Sequence, residues 1–234
     1  MSSKTVLMVT AMAPIIWGSS YFVTTEFLPQ GYPLTLAMLR ALPVGVLLLM
    51  FCRQLPTGSW WLKVLVLGAL NFSIFWWLLF VSAYRLPGGV AATISAIQPL
   101  LVIFLARLFL GSPIQATAIA AAVIGLAGVA LLLLTPSGAL DSIGLMAGLG
   151  GAVSMACGTV LSKRWMSVPG EKQVSPLTFT AWQLIAGGLL LLPAAMVLEP
   201  ALPSLSATNV LGFVYLGLIG AGLTYLLWFN GLAK

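Results

Sequence analysis

The sequence predicts an all-α, polytopic membrane protein built as an inverted repeat of five-helix units, and three observations carry that prediction. Of 234 residues, 61% are hydrophobic and only 6% charged, whereas a soluble domain carries about a quarter charged residues. The apolar residues fall into eight stretches separated by short polar or proline-marked breaks, each near the roughly 20 residues that cross a bilayer as a helix. A segment beginning at Pro33, PLTLAMLRALPVGVLLL, returns at Pro176 as PLTFTAWQLIAGGLLLL. A mean hydropathy of +1.11 exceeds what a soluble core hides. Barrel strands alternate apolar with polar residues, and these runs do not.

The spans are expected at Thr5 to Phe27, Pro33 to Cys52, Leu62 to Ala83, Gly89 to Phe109, Ile114 to Leu134, Ser142 to Leu161, Leu177 to Leu198 and Val210 to Gly231. In the first, Lys4 and the AMA at Ala11 to Ala13 resemble parts of a signal peptide, but the apolar run before that site is too short, so a retained span is expected. Pro14 should kink it, below a face shared by Trp17, Tyr21 and Thr24. The second carries Arg40, and burying a cation there costs about 2.5 to 3.5 kcal/mol unless it snorkels or finds a partner. Pro43 removes the donor for the Leu39 carbonyl and leaves an acceptor beside Arg40. Snorkelling and a cavity-facing position both stay open, and the polar Gln183 at the equivalent place favours the cavity.

The third span and Tyr84 just past its end hold six aromatics, with Phe72, Trp76, Phe80 and Tyr84 every four residues. These rings line an apolar pocket or face lipid, and for Trp76 and Trp77 the lipid or interfacial position is the favoured expectation. On the fourth span Gly88, Ala91, Ser95 and Gln98 share one small polar face. Pro99 frees the Ser95 carbonyl there, so that face suits a polar substrate group or packing against another helix. Gly144 with Gly148, and Ala118, Ala121, Ala122 and Gly125, are small residues spaced for close helix approach. From the second half Trp182, beside Gln183, and Tyr225 offer aromatic surface.

The formal charge of +6 reads as topology and not as nucleic-acid binding. With the N-terminus cytoplasmic, Lys4, Arg53, Lys63, Arg107, Lys163, Arg164, Lys172 and Lys234 fall inside with Glu171. Outside fall only Arg40 and Arg85, together with Glu26, Asp141 and Glu199. Cys52 and Cys157 form no motif and read as structural thiols. The chain has no histidine, which nearly excludes the usual metal sites and histidine-activated nucleophiles. No cofactor, no metal and no enzymatic activity are expected.

The two copies align without a gap, and WGSS at Trp17 has a weaker echo in CGTV at Cys157. The first and second helices therefore correspond to the sixth and seventh, and the unit is five helices long. An odd unit returns to the membrane in the opposite orientation, which is the architecture of alternating access. The first unit is expected over residues 1–138 and the second over 139–234. A duplication that merely enlarged a bundle is the plainer alternative.

APIIWGSSYFVTTEFLP in the first helix, YRLPGGVAATISAIQPLLVIFLARLFLG around the fourth and TYLLWFNGLAK at the end resemble the EamA-type branch of the drug/metabolite transporter superfamily. Within it the likeness is to bacterial YddG-type exporters of aromatic and neutral amino acids. That resemblance implies an inner-membrane carrier of ten helices, with both termini cytoplasmic, exporting metabolites through a central hydrophobic cavity. Where many relatives carry Gly-Glu after the fourth helix, this chain has Gly111 and Ser112. YLLWFNGLAK resembles the end of the family's eighth helix, so its ninth and tenth are expected to be missing, the second half incomplete and the chain a truncated version of a longer protein. The expected activity is secondary export of amino acids, through contacts from Trp17, Tyr21, Arg40, Phe80, Tyr84, Ser95, Gln98, Trp182, Gln183 and Tyr225, with Pro14, Pro43 and Pro99 as hinges. The partners expected are a small-molecule substrate and the lipid bilayer. An exporter of drugs or other metabolites, and a non-transporting membrane scaffold, are the alternatives.

Overall fold

The computed structural model describes residues 3–134, 141–166 and 174–233, and every element among them is helical. They are α1 (Ser3–Phe27), α2 (Pro33–Cys52), α3 (Trp60–Arg85), α4 (Gly88–Leu110), α5 (Ala116–Leu134), α6 (Ser142–Met166), α7 (Pro176–Leu198) and α8 (Ala207–Gly231). Among the described residues, all but α5 are long and apolar enough to cross a membrane, which makes seven spans. The expected fifth span is helical, but its described apolar stretch, Ala116–Gly125, is short of a crossing by itself. The expected boundary at 138/139, with Glu171, Lys172 and Lys234 and the side chains of Lys4 and Ala122, lies outside the described residues.

The helix starts follow local chemistry. Proline opens α2 and α7, where a missing N–H costs nothing and φ is already helical. Ser206 and Asn209 cap α8 reciprocally. Asp141 accepts the Gly144 N–H at 2.8 Å and pairs with Arg85 at 3.1 Å. That N–H first, and then the guanidinium, hold the Asp141 carboxyl below the usual carboxylate value. Gly111, at φ +66°, ends α4 in the left-handed conformation that glycine adopts without strain.

The centre of the bundle is the packing of α2 along α7. A Cβ on Gly45 would lie 2.8 Å from the Ile185 backbone N, and one on Gly188 would lie 2.7 Å from the Leu42 Cβ. Under the alignment of Pro33 with Pro176, Gly45 corresponds to Gly188 and Leu42 to Ile185. Each glycine thus meets the equivalent of the other's neighbour, which is the reciprocity of a twofold contact. The helix ends are tied across the halves as well. The Glu199 carboxylate accepts the Leu34 and Thr35 N–H groups at 2.7 Å each, and the Gln54 carbonyl accepts Trp182 Nε1–H at 2.6 Å.

The next pair of equivalent helices, α3 and α8, share a feature that hydropathy does not reveal. Both contain a π-helical turn, Ala69–Ser73 in α3 and Tyr215–Leu223 in α8. Such turns widen the helix and free a carbonyl. The GxxxG glycines pack as expected, Gly144 against Arg85 and Leu86 and Gly148 against Ser82 and Ile94. Among the described residues the small residues of α5 form no comparable seam, since Ala121 is exposed and a Cβ on Gly125 would meet Leu100 at 4.0 Å and no other described side chain.

Candidate functional site

A cavity of about 480 Å³ opens between α1, α2, α3, α4 and α8. Its walls come from Trp17, Gly18, Tyr21, Phe75, Trp76, Leu79, Ala92, Tyr225 and Trp228, with Pro14 and Pro99 at the helix irregularities. Ser20, Arg40, Ser95 and Gln98 supply the polar groups besides the Tyr21 and Tyr225 hydroxyls, and among the described residues no acidic side chain lines it.

Arg40 is 2% exposed, so it does not snorkel. Its Nη2 donates to the Gly220 carbonyl at 2.8 Å and to Ser20 Oγ at 3.3 Å. Its guanidinium carbon lies 4.4 Å from the centre of the Trp76 ring, a cation–π contact. Nε and Nη1 are buried without a partner among the described residues. The acceptor beside Arg40 is therefore Gly220 on α8, a consequence of the π turn. The Thr224 N–H, which an α-helix would direct to Gly220, reaches Ile219 and Ala221 instead. The freed Gly220 carbonyl takes Arg40, Trp17 Nε1–H at 3.1 Å and Thr224 Oγ–H at 2.8 Å.

Tyr225 lies with its ring centre 4.8 Å from Trp17 and 4.6 Å from Phe72. Tyr21 and Ser95 join their hydroxyls at 2.5 Å, and Ser95 also donates to the Ala91 carbonyl. The face of α4 carrying Ala91, Ser95 and Gln98 is interrupted by a turn at Ala96 and Ile97, just before Pro99. Irregular backbone at membrane depth is tolerated where it lines a cavity.

Of the residues singled out in the sequence, Pro14, Trp17, Tyr21, Arg40, Ser95, Gln98, Pro99 and Tyr225 meet at this cavity. Phe80 is fully buried in the core. Tyr84 donates to the Pro29 carbonyl at 2.9 Å near the end of the bundle. Trp182 packs against Trp60 with the rings tilted at 53° and donates to the Gln54 carbonyl. Pro43 is exposed in a separate apolar groove between α2 and α8.

Gln183 lies in a second polar cluster. Its Oε1 accepts Asn71 Nδ2–H at 2.7 Å, the same amide reaches Ser162 Oγ at 3.2 Å, and all three side chains are fully buried. Asn71 is in the π turn of α3. There the Ile74 N–H skips Leu70 for Ala69, and the freed Leu70 carbonyl accepts Ser154 Oγ–H from α6 at 2.7 Å.

Trp76 corrects an expectation: it is 1% exposed and carries Arg40 on its face, while Trp77 is exposed. Ser20, Phe75 and Trp228 also reach the cavity without having been singled out. Ser20 is three residues from Trp17 on the same helix face, and Trp228 is three from Tyr225, so helical spacing alone pointed to both.

Residues 4–134, and again 142–234, match the EamA-like transporter family, so the family pattern occurs twice along the chain. The chain is 45% identical to Protein PecM of Dickeya dadantii over 220 residues, covering 94% of this chain and 73% of that protein. It is 31% identical to the uncharacterized inner membrane transporter YedA of Escherichia coli K12, covering 88% of this chain and 67% of that one. A probable amino-acid metabolite efflux pump of the same organism is 23% identical, over 92% and 73%. A solved crystal structure superposes with a TM-score of 0.76 at 21% identity, covering all of this chain and 80% of the other, and supports the fold. The reciprocal α2–α7 packing, the π turns in both halves and the doubled family pattern lead to one conclusion: the chain is a multi-pass membrane protein that belongs to the EamA-like transporter family.

Proposed function

We propose that this chain is a secondary transporter that exports amino acids, aromatic and other neutral ones, across the inner membrane by alternating access, with its N-terminus cytoplasmic. The observation that carries the reading is Arg40, a buried cation on the wall of an aromatic cavity, with two nitrogens that have no partner among the described residues. Guanidinium binds carboxylate with geometric specificity, and Trp17, Trp76 and Tyr225 offer rings for an apolar side chain. The volume falls within the roughly 300 to 1,000 Å³ of small-molecule sites. Among the similar proteins, the efflux pump whose name mentions an amino-acid metabolite supports the class.

Ser95 and Gln98 contact the polar end of the substrate, and Pro14 and Pro99 serve as hinges. Phe80, Tyr84, Trp182, Gln183 and Pro43, which lie off this cavity, act through packing. Uptake of radiolabelled phenylalanine and threonine into liposomes containing the purified protein tests the proposal. Saturable flux is expected; its absence in folded protein returns the substrate to the wider class of drugs and other small metabolites.

A further inference from the structure

Resting on that reading of the same cavity, we infer that the break in α4 is the subsite for the α-ammonium of the substrate, with Tyr21 as the side chain that selects it. The site then takes amino acids with a free amino group over carboxylates of the same shape that lack one.

The break divides α4 into Gly88–Ser95 and Gln98–Leu110, and Ser95, Ala96, Gln98 and Pro99 all line the cavity. Two successive carbonyls lose their α-helical donors there. The Ser95 carbonyl would take the N–H of residue 99, and proline has none. The Ala96 carbonyl would take the Leu100 N–H, which turns instead to Ile97 at 3.0 Å. Ala96 and Pro99 are exposed, so the break is open to a solute. It stands at the C-terminal, negative end of the Gly88–Ser95 stretch, and broken-helix ends of that sense coordinate cations in membrane carriers.

The hydroxyl pair beside the break has a direction. Ser95 donates its one hydrogen to the Ala91 carbonyl at 3.1 Å, so in the 2.5 Å contact with Tyr21 the phenol is the donor. With that hydrogen committed, Tyr21 Oη has only lone pairs left to offer. Phe75 adds an aromatic ring to the same cavity, and rings attract cations over their faces. An ammonium brings hydrogens and no acceptor, which matches two carbonyls and an acceptor-only hydroxyl. A carboxylate brings only acceptors and gains nothing from these oxygens. The Arg40 charge comes from a different helix, α2, and a zwitterion adds no net charge beside it.

Calorimetry on the purified protein compares three ligands that share one ring and one carboxylate: L-phenylalanine, its N,N,N-trimethyl betaine, which keeps the positive charge without an N–H, and 3-phenylpropanoate, which has neither. Phenylalanine is expected to bind about tenfold or more tighter than either. Tyr21→Phe should weaken phenylalanine about three- to tenfold and leave 3-phenylpropanoate unchanged. Pro99→Ala restores an N–H for the Ser95 carbonyl and should have the same selective effect. The betaine or 3-phenylpropanoate binding as tightly as phenylalanine, phenylalanine not binding, or both variants leaving the ranking untouched would each overturn the inference. Phenylalanine binding only in sodium buffer would overturn it too, by assigning the carbonyls to a metal cation. If a variant does not fold, the ranking in the unaltered protein decides by itself. Failure of the transport reading looks different: the ranking holds and no solute is carried.

Discussion

Arg40 and Gln183 stand at the same place in the two copies of the repeat, and their surroundings are opposite. Each reaches across to a helix of the other half at its π turn, Arg40 to Gly220 and Gln183 to Asn71. On the Arg40 side the equivalent glycine of the preceding helix, Gly18, faces open space and lines the cavity. On the Gln183 side its counterpart Gly158 is closed, because the Asn71 amide occupies the space a Cβ would need. One scaffold, built twice, thus has its polar position left half satisfied in a cavity in one copy and bonded to its neighbours in a filled core in the other. A partly satisfied buried cation is costly for stability and useful for binding; a hydrogen-bonded amide cluster specifies packing.

The largest test of that contrast is a pair of glycine variants. Gly158→Ala is expected to cost about 1 to 3 kcal/mol through overpacking against Asn71, and Gly158→Leu to leave no folded protein by size-exclusion chromatography. Gly18→Leu should fold and lose flux, because it fills the cavity and displaces no neighbour. If Gly158→Leu is as stable as Gly18→Leu, the second copy is not closed and the comparison fails.

Gln183→Leu leaves the buried Asn71 amide without its strongest acceptor and should lower stability by about 1 to 3 kcal/mol. Adding Asn71→Leu should recover most of that loss in thermal melts in detergent, since an apolar pair makes no polar demand. A double variant no better than the single would show that the cluster is not a coupled unit.

Arg40→Gln makes the first copy resemble the second. Its melting point should stay level or rise, because an unpaired buried cation is removed, while carboxylate binding falls. A large loss of stability would mean that the Gly220 contact holds the two halves together. Tyr21→Phe removes the hydroxyl shared with Ser95 and should cost about 0.5 to 1.5 kcal/mol, a modest change read in the same melts.

The smallest effect is expected at the exposed pair Arg85–Asp141, which serves as the control for the buried clusters. The carboxyl of Asp141 is depressed in the folded protein, so its contribution is present at neutral pH and disappears as pH falls through that lowered value. Asp141→Asn should therefore barely move the melting point at pH 7. A larger shift than that of Gln183→Leu would invert the ranking.

Much of this was legible in the residues themselves. The eight apolar stretches, the repeat of Pro33 at Pro176 and the two separate faces, Trp17 with Tyr21 and Ser95 with Gln98, followed from hydropathy and helical spacing, which depend only on neighbours along one helix. Arg40 was marked by its cost in lipid alone. Trp76 was misjudged for the converse reason: spacing gives a residue's angle about its own axis and says nothing of which helix covers that angle.

Gln183 shows the same limit. Sequence made it the twin of Arg40, and the tertiary structure made it something else, because Asn71 and Ser162 arrive beside it from α3 and α6. Composition and repeat alone thus determined a membrane-embedded helical bundle with two related copies, since burying apolar surface in lipid is a local property of each segment. Which copy keeps the cavity, which carbonyls the π turns release and which cation is left half paired were decided only in three dimensions. Those depend on side chains far apart in the chain meeting across the interface between the halves.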